Sequence, residues 1–270
     1  MNDKVVGSRM GIAVVTGASS GIGRVYADRL AKRGYDLVLV ARRGELLESV
    51  SATFRAAYGV SVEAIVADLA IASDLDRVAE RLLTLENVTM LVNNAGTSTM
   101  GHSDATSAAQ MEAMIALNIT ALSRLSLAIL PVFKKRNSGT LINMGSILGF
   151  HSLPITAVYS ATKGYVLNFT RGLQDELAGT GVVVQLVAPA RTATDLWDYA
   201  GVPLNSLDES TLMTVENCVD AALAGLDQGE KITVPPMEDA SLLTDYDVAR
   251  MKLLGAVQTG KPASRYGIAI

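Results

Sequence analysis

Tyr159 and Lys163 lie four residues apart in a strongly helical segment, so their side chains share one face of a helix. A free tyrosine has a pKa of about 10, and a neighbouring ammonium group favours the phenolate, which suits proton transfer near neutral pH. The pair alone is a weak signal, because Tyr and Lys meet at this spacing in many helices. It gains weight from Ser146, just beyond a predicted strand, and from Asn118 in the preceding long helix.

A glycine-rich turn, Thr16–Gly23, follows a predicted strand directly and opens a predicted helix. Gly17 permits a tight turn, Gly21 lets the backbone approach a pyrophosphate, and Gly23 lets the helix pack closely on the sheet. The helix N-terminus then offers free N–H groups and a favourable dipole to an anion. An ordinary glycine-rich turn is the alternative, and the strand–helix context disfavours it.

The elements that must position these residues alternate along the whole chain. Short, nearly continuous apolar runs predict strands, as expected of parallel strands buried on both faces, at Ile12–Thr16, Leu37–Ala41, Val62–Ala67, Met90–Asn93, Thr140–Met144, Val182–Ala188 and Lys231–Val234. Amphipathic segments between them predict helices at Ile22–Arg33, Glu45–Tyr58, Asp74–Leu83, Ala105–Arg136, Ala157–Ala178 and Val215–Gln228. Within the fourth helix, Pro131 is expected to close the helix rather than break it. This alternation predicts an α/β fold of the Rossmann type, with helices on both faces of a doubly wound parallel sheet.

The second predicted strand indicates which dinucleotide would bind. An acid that would accept hydrogen bonds from the ribose hydroxyls of NAD(H) is usual at its end, and Ala41 occupies that position. Arg42 and Arg43 follow, and their guanidinium groups are suited to a 2′-phosphate, with Arg24 close by in the sequence. The sequence therefore favours NADP(H), and NAD(H) remains possible if the two arginines only solvate a loop.

Taken together, the motifs resemble those of the short-chain dehydrogenase/reductase family. The resemblance rests on Thr16–Gly23, Asp68, Asn93-Asn94-Ala95-Gly96, Asn118, Ser146 and Tyr159-Ser160-Ala161-Thr162-Lys163, which occur in the family's order and at close to its spacing. It covers about residues 12–194, and residues 195–270 correspond to the family's variable substrate section. The resemblance implies one domain over residues 1–270, with about seven strands in the order 3-2-1-4-5-6-7.

The resemblance also implies a role for each of four catalytic residues. Tyr159 would be the general acid in reduction and the base in oxidation. Lys163 would lower the pKa of Tyr159 and hydrogen-bond the nicotinamide ribose. Ser146 would hydrogen-bond the substrate oxygen, and Asn118 would hold a water that links Lys163 to solvent.

The residues implied to bind the cofactor share the strand-end crevice. They are Gly17, Ser19, Ser20, Gly21, Ile22, Gly23, Arg42, Arg43, Asp68, Leu69, Asn94, Ala95, Gly96, Tyr159, Lys163, Pro189, Ala190, Thr192 and Thr194. One departure from the family pattern is Pro189-Ala190 in place of Pro-Gly. Because alanine resists a positive φ, this loop is expected to differ in shape.

The predicted substrate contacts are mostly apolar, which favours a hydrophobic carbonyl or alcohol. They are Ser146, Leu148, Tyr159, Ala190 and Trp197, with Ile147, Phe150, His151, Leu153 and Leu196 in a wider lining. Arg191 lies near enough in the sequence to leave a carboxylate possible. Steroid, ketone, aldehyde and 3-oxoacyl substrates all remain open.

Composition restricts the other function classes. A net charge of -4 gives no basic footprint, so no nucleic-acid partner is expected. The single cysteine, Cys218, has no internal disulfide partner and fits a buried helix position, and a cytoplasmic location is expected. The start of the chain lacks a signal-peptide pattern, and the longest apolar stretch, Leu125–Phe133, is too short to span a bilayer. His102 and His151 have no second ligand at metal spacing, so no metal site is expected.

Assembly and rival functions remain open to other interpretations. The family resemblance implies a homodimer or homotetramer formed through the fourth and fifth helices, and Val166, Phe169 and Leu173 are compatible with that interface. The rival functions are an NAD(H)-dependent alcohol dehydrogenase, an epimerase or dehydratase of a related fold, and a catalytically silent NADP-binding regulator. The presence of Asn118, Ser146, Tyr159 and Lys163 weighs against the regulator.

Overall fold

Seven parallel strands form one sheet in the order β3-β2-β1-β4-β5-β6-β7, which confirms the predicted fold class and strand order. We describe them from a computed structural model, which describes residues 10–268. The strands are β1 (Ile12–Thr16), β2 (Asp36–Ala41), β3 (Val62–Val66), β4 (Val88–Asn93), β5 (Gly139–Met144), β6 (Val182–Val187) and β7 (Ile232–Thr233). The central strands are buried on both faces, as their continuous apolar sequences predict.

Helices cover both faces of the sheet. The helices of the sheet-containing unit are α1 (Gly21–Lys32), α2 (Gly44–Tyr58), α3 (Ala72–Thr84), α4 (Ala108–Ile115), α5 (Leu122–Arg136), α6 (Ala157–Glu176), the short α7 (Leu196–Tyr199) and α8 (Val215–Asp227), and α9 (Ser241–Ala256) follows in the chain. Two large apolar clusters form most of the core, one against each face, and a small third cluster includes Val166 of α6. Tyr26, Leu30 and Leu47 from α1 and α2 lie in the first, and Leu125 and Phe133 from α5 lie in the second.

The predicted fourth helix consists of three parts. It begins at α4 rather than at Ala105, because Ser107 forms a capping box with Gln110. A π-helical turn, Ala116–Ala121, then joins α4 to α5. The prediction that Pro131 closes the helix is wrong, since α5 continues to Arg136. Because Pro131 has no N–H group, the carbonyl of Leu127 loses its helical hydrogen-bond partner. Both residues are exposed, so water can donate to that carbonyl instead.

Among the described residues, one helical stretch, Ala108–Arg136, is long and apolar enough to cross a membrane by length and composition alone. The apolar stretch Leu125–Phe133, which is too short to span a bilayer by itself, is one part of this longer continuous helix. Leu125, Ile129 and Phe133 are buried against the sheet, so much of its apolar surface belongs to the protein core. The predictions of no membrane partner and of a cytoplasmic location remain predictions.

The described residues form two compact units, 10–236 and 237–268. The first contains the sheet, and the second contains α9, which the sequence analysis did not predict. The N-cap residue is Ala240, although the neighbouring Asp239 accepts a hydrogen bond from the N–H of Ser241 at 2.9 Å, and the apolar residues of α9 lie on several sides. The single domain over residues 1–270 remains a prediction.

Two residues assigned to a subunit interface lie inside the subunit instead. Val166 is completely buried and Leu173 is 5% exposed, because both face the sheet from α6. Phe169 is half-buried and stacks on Tyr165 with ring centroids 5.8 Å apart. Val166 and Leu173 therefore cannot form the predicted interface, and the oligomeric state remains a prediction.

Candidate active site

The carboxyl ends of the central strands open into a cavity of about 750 Å3, a volume typical of small-molecule sites. Three of the four predicted catalytic residues line it, namely Ser146, Tyr159 and Lys163. Every predicted cofactor residue lines it except Gly23, and all five predicted substrate residues line it. The topology explains this convergence, because parallel strands deliver their following loops to one edge of the sheet.

Tyr159 and Lys163 extend from α6 into the cavity wall, and both are more than nine-tenths buried. The ammonium of Lys163 donates a hydrogen bond to the carbonyl of Met144 at 2.9 Å, which fixes it at the end of β5. Its Nζ lies 5.8 Å from the centre of the Tyr159 ring. Ser146 caps the short 3-10 turn Ile147–Gly149 by accepting a hydrogen bond from the N–H of Leu148 at 3.1 Å. These contacts hold the side chains before any ligand binds.

Burial dominates the proton affinities of this pair. It raises the pKa of Tyr159 to about 12, and a hydrogen bond with Ser146 opposes that rise. Burial also lowers the pKa of Lys163 to about 8. The lowering of the Tyr159 pKa that was expected from Lys163 is not found: burial of the phenol raises the pKa, and the contact that lowers it is the hydrogen bond with Ser146. Tyr159 is therefore a proton donor at neutral pH in the unliganded protein.

Asn118 lies behind the cavity wall rather than in it. Its side chain is 1% exposed and sits in the π-helical turn, an irregularity frequent at functional sites. The amide accepts a hydrogen bond from the N–H of Thr97 and donates one to the same residue's carbonyl, both at 2.9 Å. It also donates to the hydroxyl of Thr162 at 3.1 Å. Asn118 thus connects the loop after β4 to the helix that holds Tyr159 and Lys163.

The glycine-rich turn is shaped for close approach by a ligand. Gly17 and Gly21 adopt φ values of +67° and +54°, which side chains other than glycine rarely tolerate. A Cβ atom on Gly23 would contact the carbonyl of Gly17 and lie 2.5 Å from Nδ2 of Asn94. Gly23 therefore packs α1 against the turn instead of lining the cavity. The side chain of Asn94 fastens the turn to the sheet by donating to the carbonyl of Thr16 at 2.9 Å.

A positive group lies beside this turn, at the end of β2. Arg43 donates hydrogen bonds to the hydroxyls of Ser20 at 2.6 Å and Ser19 at 3.3 Å. It also lies 3.7 Å from a carboxylate oxygen of Asp195, and Arg42 lies 3.7 Å from one of Asp68. Two guanidinium groups and two hydroxyls therefore surround one corner of the cavity, which suits a phosphate group. Arg24, also considered for this patch, is exposed and does not line the cavity.

The loop after β6 tolerates its unusual alanine. Among residues 10–268, the non-glycine residues with positive φ are Asn87 and Asn137, so Ala190 is not strained. The preceding carbonyl of Pro189 accepts a hydrogen bond from the N–H of Ile147 at 2.9 Å. Ala190 therefore does not adopt the left-handed backbone conformation that would have required a glycine at this position.

A segment over the cavity, residues 193–212, is closed at its base. Thr192 pairs with Met213 in an isolated bridge, and the N–H of Ala193 donates to the carbonyl of Met213 at 2.9 Å. Within the segment, Trp197 donates its indole N–H to the carbonyl of Thr192 at 2.8 Å. We call this segment the cover.

The structure changes part of the predicted substrate lining. Ile147, Leu153, Leu196 and Arg191 line the cavity as expected. Phe150 and His151 do not, because Phe150 packs against the core beneath α6 and His151 is exposed. Further residues line the cavity without having been predicted to do so, and they include Thr97, Ser98, Met100, Leu117, Ile155, Thr156, Tyr199, Ala200, Val202, Leu207 and Thr211. Most lie in the loop after β4 or in the cover, which carry no periodic signal.

A metal site and a reactive cysteine were both considered improbable from the sequence. Within residues 10–268, no group of three or more His, Cys, Asp or Glu side chains could hold a metal ion. Cys218 is buried in α8, and burial raises the pKa of its thiol to about 11, so a reactive thiolate is disfavoured.

The fold and the site together define an oxidoreductase of the nicotinamide-dinucleotide type. The model of the short chain dehydrogenase family matches residues 11–203. The chain belongs to that family, which confirms the resemblance found in the motifs.

The share of each relative's length that matches this chain differs from one relative to the next. The chain is 42% identical to a short-chain dehydrogenase from Sphingobium yanoikuyae solved in complex with NADPH, with 95% of this chain and 99% of that chain covered at a TM-score of 0.92. It is 36% identical to the bulky-bulky ketone specific alcohol dehydrogenase from Comamonas testosteroni, covering 95% and 98% at a TM-score of 0.88. A very-long-chain 3-oxoacyl-CoA reductase from Anas platyrhynchos is 37% identical over 68% of this chain, but the match spans 60% of that reductase's length.

Proposed function

We propose that the chain is an NADP(H)-dependent reductase of bulky, mainly apolar ketones, acting also as the dehydrogenase of the corresponding secondary alcohols. The observation that carries the proposal is a single cavity whose two ends differ in chemistry, one charged and the other largely apolar. Arg42 and Arg43 lie at one end, and Tyr159 and Ser146 lie beneath a largely apolar wall at the other. The solved relative that binds NADPH and the ketone-specific relative both support this assignment.

The residues at the first end fit a dinucleotide with a 2′-phosphate. The glycine-rich turn bends tightly at Gly17, where an added Cβ would lie 2.8 Å from Nδ2 of Asn94, and its residues Ser19 to Ile22 line the cavity where a pyrophosphate would lie. Ala41 occupies the position of the acid that would otherwise accept hydrogen bonds from a ribose, and Arg42 and Arg43 follow it. Their charge favours NADP(H) over NAD(H), and Asp68 near Arg42 reduces that preference without reversing it.

When bound, the dinucleotide supplies or accepts the hydride. The phenol of Tyr159 donates a proton to the substrate oxygen during reduction, and its pKa of about 12 keeps it protonated at neutral pH. The hydroxyl of Ser146 donates a second hydrogen bond to that oxygen, where negative charge develops. Lys163, with a pKa of about 8, is mostly an ammonium at pH 7 and stabilises the phenolate left after proton transfer.

The apolar residues of the wall and cover select the substrate. Leu148, Leu153 and Ile155 lie on the side of the 3-10 turn, and Leu196 and Trp197 lie on the cover. Such a lining binds large hydrocarbon groups by removing their surface from water. Arg191 donates to the hydroxyl of Thr211 at 3.2 Å and is the cation through which a charged substrate would bind instead.

The test combines cofactor titration with a substrate screen. We expect nicotinamide fluorescence to show tighter binding of NADPH than of NADH, and NADPH oxidation with aryl alkyl ketones that carry two bulky groups. Tyr159→Phe should reduce kcat by about 10²–10⁴-fold while NADPH still binds, because only the proton donor is lost. The matched control is Tyr165→Phe, in the same helix but outside the cavity lining, which should retain activity.

The other outcomes each contradict a defined part of the proposal. Binding of neither dinucleotide contradicts the whole assignment. Unchanged turnover in Tyr159→Phe contradicts the role of the phenol. Faster reduction of 3-oxoacyl thioesters than of ketones contradicts the substrate class.

A further inference from the structure

Six charged side chains line the cavity, and five of them have a partner or a role described above. Two arginines and two acids form the pairs at the phosphate corner, and Lys163 supports proton transfer. The sixth, Arg191, forms no ion pair with any residue in the range 10–268. A cation without a counter-ion in a ligand cavity favours an anionic ligand, so the surroundings of Arg191 indicate what that ligand is.

A single hydrogen bond holds the guanidinium group of Arg191. Its Nη1 donates to the hydroxyl of Thr211 at 3.2 Å, and that hydroxyl donates in turn to the carbonyl of Asp208 at 2.9 Å. The backbone is fixed as well, because the carbonyl of Arg191 accepts a hydrogen bond from the N–H of Met213 at 2.9 Å. The side chain is therefore oriented before any ligand binds.

The other two nitrogen groups of Arg191, Nε and Nη2, form no hydrogen bond with any described residue. They lie side by side and donate in parallel, a geometry that matches the two oxygens of a carboxylate. The same chain shows this pairing at Arg81, whose Nε and Nη2 donate to the two carboxylate oxygens of Glu63 at 2.9 and 2.7 Å. Arg191 has these two donors available on an exposed side chain that lines the cavity, so a ligand can reach them.

Asp208, which lies on the cover, does not occupy these donors. Its carboxylate accepts hydrogen bonds from the hydroxyl and the N–H of Ser210, at 2.7 and 2.9 Å. These bonds lower the pKa of Asp208, and the charge of Arg191 adds a smaller effect. Because Asp208 is outside the cavity lining, the positive charge that Arg191 brings to the cavity is only partly offset.

The sheet topology places Arg191 on the substrate side of the cavity. It follows β6, whose neighbour β5 leads to Ser146. The glycine-rich turn follows β1, which is three strand positions from β6, or about 14 Å at the usual strand spacing. The phosphate groups of the dinucleotide have their own partners at that turn and at the end of β2. An anion bound by Arg191 would therefore belong to the substrate.

We propose that Arg191 is a specificity-determining residue, whose Nε and Nη2 bind a carboxylate that the ketone substrate carries at a distance from its reacting carbonyl. The inference rests on the proposed function and narrows its substrate class to bulky oxo acids. The apolar body of such a substrate lies against the wall and the cover, and its carboxylate lies at the base of the cover.

The first test compares oxo acids with their own methyl esters. The probes are phenyl ketones that carry a carboxylate two, three or four methylene groups from the carbonyl, and each ester keeps the reacting group but loses the charge. We expect the wild type to have a kcat/KM at least about tenfold higher for one of the acids than for its ester, because charge-assisted hydrogen bonds are strong. This preference should shrink as salt increases.

Variants at position 191 assign that preference to the guanidinium group. Arg191→Met should reduce kcat/KM for the preferred acid by about tenfold and leave kcat/KM for its ester unchanged. Arg191→Lys should show an intermediate preference, because it keeps the charge but loses the parallel donors. The matched control is Arg124→Met, which replaces an exposed arginine that pairs with Asp76 outside the cavity lining, and it should keep the wild-type preference.

The second test does not depend on turnover. Trp197 is the sole tryptophan of the chain and lines the cavity, so its fluorescence reports binding there directly. The probes are 5-phenylpentanoate and 5-phenylpentanamide, which contain no ketone. The carboxylate should bind more tightly than the amide to the wild type, and the two should bind equally weakly to Arg191→Met.

The outcomes separate this proposal from the proposed function. If no ketone were reduced with NADPH, the proposed function would be contradicted and the fluorescence test would still decide on Arg191. Equal kcat/KM for acid and ester at all three chain lengths, or equal binding of carboxylate and amide to the wild type, would overturn the proposal. Weaker NADPH binding in Arg191→Met with an unchanged preference for acids would assign Arg191 to the dinucleotide and likewise overturn it.

Discussion

Lys163 is a buried cation, and its burial opposes folding. The group has one protein hydrogen bond in the structure, to the carbonyl of Met144, and is 6% exposed. Burial lowers its pKa from 10.5 to about 8, so the ammonium is less stable in the folded protein than in the unfolded chain. The residue that supports proton transfer therefore reduces the stability of the unliganded protein near neutral pH.

This cost predicts a specific dependence of stability on pH. Between the folded pKa of about 8 and the unfolded pKa of 10.5, the unfolded chain binds more protons at Lys163 than the folded protein does. The free-energy penalty for burying the Lys163 ammonium is therefore absent above the unfolded pKa. It grows as the pH falls and is fully present below the folded pKa. Between pH 7.5 and 9.5, the free energy of unfolding should rise by about 2 kcal/mol from this residue alone.

Urea unfolding of the wild type and of Lys163→Met at pH 7.5 and 9.5 measures that contribution. All other titrating groups are shared by the two proteins, so the difference between them isolates Lys163. We expect the wild type to gain about 2 kcal/mol relative to the variant over this range. An equal pH dependence in both proteins would show that the ammonium is not destabilised by burial.

At the scale of elements, the glycine-rich turn and α1 depend on the absence of a side chain at position 23. Gly23→Ala should lower the free energy of unfolding by about 1–3 kcal/mol, because the new methyl group would overlap the carbonyl of Gly17 and the amide of Asn94. Binding of NADPH should weaken at the same time, since the turn must move. Urea unfolding and nicotinamide fluorescence measure the two effects.

Gly172→Ala is the matched control for this substitution. Gly172 lies in α6 and has no atom within 4 Å of an added Cβ, so alanine should stabilise the helix by about 0.5–1 kcal/mol. If Gly23→Ala were as benign as Gly172→Ala, the close packing of α1 on the turn would be refuted.

The cover contributes to the cofactor end of the cavity through Asp195. Its carboxylate lies 3.7 Å from Arg43 and partly neutralises the charge that a 2′-phosphate requires. Asp195→Asn should therefore strengthen NADPH binding by up to about fivefold at low salt, which corresponds to the energy of about 1 kcal/mol typical of an exposed ion pair. Binding of NADH should not change.

Fluorescence titration at two salt concentrations tests this effect. The gain should shrink as salt increases, because screening weakens exposed pairs first. Asp198→Asn, three residues along the cover, is the control and should leave both affinities unchanged. Weaker NADPH binding in Asp195→Asn would indicate that the carboxylate supports the site instead.

At the scale of the whole molecule, two kinds of feature could be predicted from the sequence. They are the strands, which follow from apolar periodicity, and the side chains that the strand ends bring together. The continuous apolar runs located the strands of the sheet, and the turn after β1 was identified by its glycines in a strand–helix context. Ser146, Tyr159 and Lys163 were predicted to converge because strand order brings their elements to one edge. These features follow from local patterns and a restricted set of topologies.

Other features depend on contacts that no local pattern reveals. Tyr199, Val202 and Leu207 line the cavity only because the bridge between Thr192 and Met213 folds the cover back over the site. The high pKa of Tyr159 arises from its burial in the folded protein. The helix α9 was missed because its apolar residues lie on several sides, so they show no helical period.

The bridge at the base of the cover has an evolutionary consequence. Since Thr192 and Met213 bring the two ends of the cover together, its length and composition can vary with little effect on the sheet beneath. Insertions and replacements between these two points would exchange the substrate-facing wall, while the proton donor on α6 and the phosphate turn after β1 stay in place. New specificities are therefore accessible to this chain through changes in a segment of about twenty residues, without refolding the rest of the protein.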